Sequence, residues 1–307
     1  MSLLTRTTEV FWGLLDPWIF VGLSIKSLPG TILTLIQERR FGVLLSPSGF
    51  RDAWFSRFWG SVAGPGIRAN AGEHVIPLLQ GRASGGIVRA EQVEQGISGT
   101  VIEVGAGSGL WADVYKVVAE VRADPEAGTG AEEVVRRRNG HGSERVITRI
   151  YGVEPNKDQH PNLRNAVAAA GIEDVYQIVP VGIQDLDNSK KWDGRVEKGS
   201  VDCIVTILCL CSIPEPEKNI RELYKYLKKG GRWYVYEHVK CEHGLGMKLY
   251  QRFLNVIWPH FFNGCMLCRR TEKTLRETGP WEKIDIGQPP VEPWYHPIPH
   301  ILGVFTK

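Results

Sequence analysis

Val101-Ile-Glu-Val-Gly-Ala-Gly-Ser-Gly-Leu110 reads as a buried strand running into a glycine loop. The β-branched apolar run predicts the strand, Gly105, Gly107 and Gly109 a turn whose backbone no Cβ shields, and the apolar spacing over Leu110 to Val121 a helix. Strand, loop and helix make the first unit of a doubly wound sheet. The spacing Glu-x-Gly-x-Gly-x-Gly lacks the Gly-x-Gly-x-x-Gly of a dinucleotide fingerprint, where a helix N-terminus receives a pyrophosphate. Glu103, inside the strand, offers a carboxylate suited to the ammonium of a ligand that carries an amino acid. S-adenosylmethionine is the obvious ligand of that kind, cradled by Gly105, Ala106, Gly107 and Gly109; the bland alternative is a tight strand-to-helix turn and nothing more.

Outward from this unit, Arg149-Ile-Tyr-Gly-Val-Glu-Pro-Asn156 is a second strand ending in an acid, so Glu154, with Pro155 beside it, is the candidate for a ribose diol. Asn162 to Ala170 predicts a helix stopped by Gly171, and Val175 to Val181 a third strand leading to Gln184 and Asp185, which would flank an adenine edge. Ser200 to Ser212 reads as a buried central strand, with Thr206 and Leu208 counted into the cofactor set. Glu217 to Leu227 predicts a helix, Lys229-Gly-Gly231 its stop and Arg232 to Val239 a fifth strand.

A sulfonium methyl is intrinsically electrophilic, so a protein gains mainly by aligning donor and nucleophile and excluding water. The nucleophile must still lose a proton. His238, at the carboxyl tip of the fifth strand, is the candidate base, with Glu237 orienting it or lining the site. Ordering of the following loop through a backbone hydrogen bond is the competing role for His238. His260 and His296 are weaker candidates. Trp258, Phe261, Phe262, Trp281, Trp294 and Tyr295 would wall a site for a flat or lipophilic acceptor, or pack in the core.

The series Glu-Val-Gly-Ala-Gly-Ser-Gly, Gly-Val-Glu-Pro-Asn, Gly-Ser-Val-Asp, Leu-Cys-Ser, Leu-Lys-Lys-Gly-Gly-Arg and Glu-His-Val resembles the class I, type 11 S-adenosylmethionine-dependent methyltransferases. Leu208-Cys-Leu-Cys-Ser212, Glu237-His-Val239, Trp258-Pro-His-Phe-Phe-Asn-Gly-Cys265 with Arg270-Thr271, and Pro299-His-Ile-Leu-Gly-Val-Phe-Thr-Lys307 further resemble the methyltransferase-like seven group. That group is membrane-associated and includes animal thiol methyltransferases. The resemblance runs from about Thr100 to Lys307. It implies an α/β fold, a doubly wound, seven-stranded Rossmann-like sheet with an N-terminal helical appendage, and methyl transfer to a thiol, hydroxyl or amine of a hydrophobic small molecule, in detoxification or natural-product tailoring. Gly42 to Gly96 has no counterpart in it, and 122–148, with Arg136-Arg-Arg138, reads as an inserted surface loop. The expected organisation is an apolar segment over 1–40, a cap over 41–98 and a catalytic domain over 99–307.

Composition narrows the classes. A net charge of +3 over 307 residues does not supply the clustered basic face that nucleic acid requires. Three of the six cysteines, Cys203, Cys209 and Cys211, fall in or beside the buried fourth strand, which argues against a disulfide framework and for a reducing compartment. Cys265-Met-Leu-Cys268 has a knuckle-like spacing but no second pair, so no metal centre is expected. Residues 10–36 are strongly apolar yet interrupted by Asp16-Pro17 and by Lys26 and Pro29, with Arg6, Arg39 and Arg40 flanking. This suits a helix or hairpin lying on the cytosolic face of an intracellular membrane such as the endoplasmic reticulum, or a helix packed on the core of a cytoplasmic protein. Two rival functions are a non-catalytic membrane adaptor and a NAD-dependent oxidoreductase whose ribose Glu154 would hold. Oligomeric state is not legible in the sequence.

Overall fold

A computed structural model describes residues 3–122 and 146–307, with side chains from residue 7 onward. The insertion expected over 122–148, Arg136 to Arg138 included, lies almost wholly outside the described residues. The main elements are α1 (Leu3–Gln37), α2 (Pro47–Phe58), α3 (Gly64–Leu79), β1 (Gly99–Val104), α4 (Val114–Val118), β2 (Val146–Val153), α5 (His160–Ala170), β3 (Tyr176–Val179), β4 (Val201–Ile207), α6 (Pro216–Tyr226), β5 (Leu227–His238), α7 (Leu245–Phe261), α8 (Thr271–Arg276), β6 (Lys283–Gly287) and β7 (His300–Thr306).

The sheet order is β3-β2-β1-β4-β5-β7-β6, parallel from β3 to β5, with β7 antiparallel to both of its neighbours. Successive strands are added outward in opposite senses from β1 and from β4, a switch that opens a crevice at their carboxyl ends. The two faces carry separate cores: Val101, Cys203, Val205 and Tyr234 on one, Ile102, Val104, Ile204 and Trp233 on the other. This alternation is what a strand covered on both sides requires.

The seven expected strands are present, and a two-residue strand, Glu120–Val121, pairs with Val146 and Ile147 to make an eighth. It exists because β3 pairs only with Ile150 to Val153, leaving the start of β2 an open edge. Reaching that edge shortens the helix expected over 110–121 to the five residues of α4, and Ala119 is already extended at φ −153°. The strand expected to run to Ser212 stops at Ile207, where Leu208 turns the chain at φ 53°. Lys229-Gly-Gly231 lies inside β5 rather than ending a helix: Val201 pairs with Leu227 but Cys203 with Arg232, so Lys228 to Gly231 bulge out of the ladder, with Gly230 at φ 75°.

The break expected at Asp16-Pro17 is absent too; α1 runs unbroken through Pro17 and Pro29. Each interior proline costs roughly 3 kcal/mol, and docking of one helix face on the body offsets it. That face is unusual in kind. It buries Val21, Ser24, Ser27, Thr31 and Leu35, and Trp54 on α2 donates to Ser24 O and Ser27 Oγ, both at 2.9 Å. The opposite face leaves Phe11, Trp12, Ile19, Leu23, Ile32, Leu33 and Ile36 exposed. Together α1, α2, the π-helical turn Trp59–Ala63 and α7 form a cap over the carboxyl ends of the strands, with Phe58, Trp54, Trp258 and Phe262 at its centre.

Candidate functional site

The glycine loop sits at the crevice. Gly105, Gly107 and Gly109 have φ of 68°, 55° and 81°, a region closed to most side chains. A Cβ on Gly105 would lie 2.5 Å from Cys209 Cβ and one on Gly109 2.5 Å from Ala166 Cβ, so these two glycines hold the loop against β4 and α5. Gly107 differs: among the described residues a Cβ there would meet nothing nearer than the Trp59 indole nitrogen at 3.6 Å, so space for a ligand lies beside this residue, roofed by the cap. Ala106 is buried beneath the loop.

Glu154 ends β2 with both carboxylate oxygens engaged: Gly107 N–H donates to Oε2 and Asn156 N–H to Oε1, each at 2.8 Å. The loop and the acid are thereby locked together, and each oxygen keeps acceptor capacity for a further hydroxyl. Burial pushes the Glu154 carboxyl up to about 7, against the pull of those two amides. Glu103 is more enclosed. Tyr176 Oη donates to its Oε2 at 2.6 Å, reaching across β2 over Gly152, where a Cβ would strike the phenol. Burial raises the Glu103 carboxyl to about 7, with the phenols of Tyr176 and Tyr115 opposing. The carboxylate proposed for a ligand ammonium therefore faces two phenols of its own core.

The other residues of the cofactor set divide. Pro155 and Gln184 are exposed, and Asp185, half-buried, accepts from Gln184 Nε2 at 3.3 Å, at the tips of β2 and β3. Leu208 borders the crevice with its strained backbone. Thr206 is fully buried on the opposite face and accepts from Trp233 Nε1 at 3.0 Å, so its hydroxyl serves the core.

Across the crevice, at the tips of β4, β5 and β7, the polar groups are imidazoles and thiols. Glu237 and His238 do not meet, because neighbours on a strand point to opposite faces. Glu237 accepts from the Cys209 and Leu210 N–H groups, both at 3.1 Å, and pins the loop after β4. His238 places Nε2 3.3 Å from Cys265 Sγ, while its Nδ1, buried, has no hydrogen-bond partner among the described residues. Directly opposite in register stands His300, which the sequence reading passed over. Its Nδ1 donates to Glu292 Oε1 at 2.5 Å, Nε2 has no hydrogen-bond partner among the described residues, and its ring stacks on Tyr236 with centroids 5.0 Å apart. Burial lowers the His300 pKa despite Glu292; the Glu292 carboxyl, which burial would raise, is brought down by that same hydrogen bond. The signal for His300 was the Pro299-His300 pair at the head of an edge-to-centre strand, legible only once β7 is known to run antiparallel.

His296 lies near, 5.9 Å from His300 between ring centroids, and His260 is exposed on α7. Of the six aromatic wall candidates, Trp258 and Phe262 are buried in the cap and Phe261 packs beside them. Trp281 belongs to the core with Trp233 and Phe305. Trp294 borders an open cavity of about 250 Å³ that Glu292, His243, Gln288, Pro289 and Pro290 also line. Tyr295 lies against Gly13 of α1.

A methyltransferase-domain family model matches residues 79–278. Thiol S-methyltransferase TMT1B of Rattus norvegicus is 37% identical over 114 residues, 37% of this chain and 46% of the relative. Thiol S-methyltransferase TMT1A of Homo sapiens is 36% identical over 115 residues, with the same two coverages of 37% and 46%. The aligned stretch thus spans less than half of these relatives. Among solved structures, a putative O-methyltransferase from Nostoc punctiforme PCC 73102 superposes with a TM-score of 0.50 at 11% identity, over 96% of this chain and 71% of the other, a likeness of fold alone.

Proposed function

The chain belongs to the methyltransferase-domain family, and from that premise we propose that it moves the methyl group of S-adenosylmethionine to the thiol of a hydrophobic small molecule at a membrane surface. The observation that carries this reading is the pairing, across one crevice, of an amide-and-carboxylate cradle with a carboxylate-oriented imidazole. The donor supplies an electrophilic methyl on a sulfonium. The open space at Gly107 admits it, Glu154 accepts from its ribose hydroxyls, and Gln184 and Asp185 border its base. His300 Nε2, neutral at physiological pH because burial lowers its pKa, takes the acceptor's proton, and Glu292 fixes the tautomer and stabilises the imidazolium. Cap residues Trp258, Phe262 and Phe58 exclude water above the strand tips. The names of the TMT1 relatives favour sulfur over oxygen or nitrogen.

The membrane part rests on α1 and α7. The helix over Thr7–Gln37 is long and apolar enough to cross a bilayer, but its buried stripe is docked on the body. Its outer face continues onto α7, where Leu245, Leu249, Phe253 and Val256 stand exposed at helical spacing and Trp18 packs on Phe253. An apolar surface shared by two packed helices suits a protein lying in the headgroup region.

Thermal stability with S-adenosylhomocysteine titrated against NADH tests the donor, since a ligand of the folded state raises stability as RT ln(1 + [L]/Kd). A shift with the former alone is expected; a shift with NADH alone would overturn the reading. Methylation of lipophilic thiols, phenols and amines then tests the acceptor, thiols being expected fastest. Leu249→Ser with Phe253→Ser should weaken vesicle binding of the full chain at least about tenfold, as loss of two buried apolar side chains requires.

A further inference from the structure

Three short stretches far apart in the chain, the loop after β4, the tip of β5 and the turn after α7, bring Cys211, His238 and Cys265 together. All three are buried, and their Sγ and imidazole nitrogen atoms lie within 4.8 Å of one another. Cys265 Sγ stands 3.3 Å from His238 Nε2. Tetrahedral zinc, with bonds of about 2.3 Å to sulfur and about 2.0 Å to nitrogen, sets sulfur and nitrogen ligands roughly 3.5 Å apart and two sulfurs roughly 3.8 Å apart. We propose that Cys211, His238 and Cys265 bind one zinc ion and leave its fourth position open to a donor atom from outside the chain.

The surroundings suit that role. Two thiolates and a neutral imidazole around a divalent ion carry no net charge, the condition under which ions are buried cheaply. Two thiol protons leave for solvent as the metal enters. Trp258 Nε1 donates to Cys265 Sγ at 3.2 Å, a hydrogen bond that a thiolate would strengthen. The loop carrying Cys211 is fixed from both sides: Glu237 takes the Cys209 and Leu210 N–H groups, and Arg269 Nη1 donates to Leu210 O at 2.7 Å and Ile213 O at 2.6 Å. Such outer contacts hold a ligand set ready before the ion arrives. Cys268, the other half of the knuckle-like spacing, turns instead toward Gln251 Oε1 at 3.8 Å, and Cys209 toward Glu237. The expectation of no metal rested on the Cys265/Cys268 pair, whereas the fold pairs Cys265 with Cys211. If the acceptor is a thiol, its S–H bond breaks, a sulfur–zinc bond forms and His300 takes the proton; this one step rests on the methyl-transfer reading.

The test uses the full chain, purified without chelator and loaded with zinc or cobalt. About one zinc per chain is expected by plasma mass spectrometry, falling at least tenfold in Cys211→Ser, Cys265→Ser and His238→Asn and unchanged in Cys268→Ser. The cobalt form of the unmutated chain should show the thiolate charge-transfer and intense d–d absorption of a tetrahedral sulfur-ligated site, which reports the ligands even where a variant does not fold. Trp258→Phe should weaken metal affinity about tenfold. A folded chain that takes up no metal, a cobalt spectrum without thiolate bands, or a Cys211–Cys265 disulfide in place of metal would each overturn the site. S-adenosylhomocysteine binding, measured on the same samples, separates the two readings: its persistence without metal removes only the zinc site, and metal without it removes only the methyltransferase reading.

Discussion

The two sides of the crevice are built from different materials. At the tips of β1 and β2, the cradle is backbone: glycine amides and left-handed φ values, tied to Glu154 through the main-chain N–H groups of Gly107 and Asn156. At the tips of β4, β5 and β7, the reactive groups are side chains, Cys211, His238, Cys265 and the Glu292–His300 pair, delivered by separate elements and aligned by other side chains. A backbone site tolerates most changes nearby but not a Cβ where the ligand must come close. A side-chain site fails one group at a time, leaving the other half intact.

The largest effect should fall on the side-chain half. His300→Asn keeps a polar group at β7 but removes the base, so the rate of methyl transfer should drop about 100-fold or more while S-adenosylhomocysteine affinity, read by calorimetry, stays put. Equal losses in both would dissolve the division between the halves. Gly107→Val should do the reverse, lowering that affinity at least about 100-fold by filling the open space and straining φ. Unchanged binding would take the loop out of the site.

A smaller effect concerns pH. The folded-state pKa of Glu103, about 7, lies above its ordinary 4.5, so the folded chain retains a proton that the unfolded chain gives up between those values. Stability should therefore fall as pH rises through that window, by roughly 3 kcal/mol for this group. Glu103→Gln should flatten the fall in a denaturation series; an unaltered pH profile would mean the carboxyl titrates normally. Smallest is Thr206→Val, which removes the acceptor for Trp233 Nε1 at a cost of about 1–2 kcal/mol. Cofactor affinity should not change, and a loss there would return Thr206 to the ligand site.

The backbone half was the legible half. Strand, Glu103 and glycine loop are consecutive in sequence and Glu154 follows the next strand, so these residues could be singled out as candidates from spacing and strand pattern alone. Face assignment was not available: the period of two sends Thr206 to the core and splits Glu237 from His238, and only the register of β5 with β7 shows His300 standing opposite His238. Helix α1 misled for a related reason. Two prolines argue for a break when the helix is weighed alone, and tertiary contacts through Ser24, Ser27 and Trp54 outweigh them.

The six free cysteines span the layers of the molecule: Cys203 within β4, Cys209 and Cys211 on the loop after it, Cys241 after β5, Cys265 and Cys268 beyond α7. Burial holds the Cys203 thiol up at about 11, and desolvation with the neighbouring Glu237 carboxylate raises that of half-buried Cys209, so the reactive thiolate is disfavoured at both. A thiol reagent applied to the native chain becomes a clock of local opening, each modified cysteine timing the layer that shelters it. Read peptide by peptide, the order of labelling would tell whether the cap lifts before the sheet loosens.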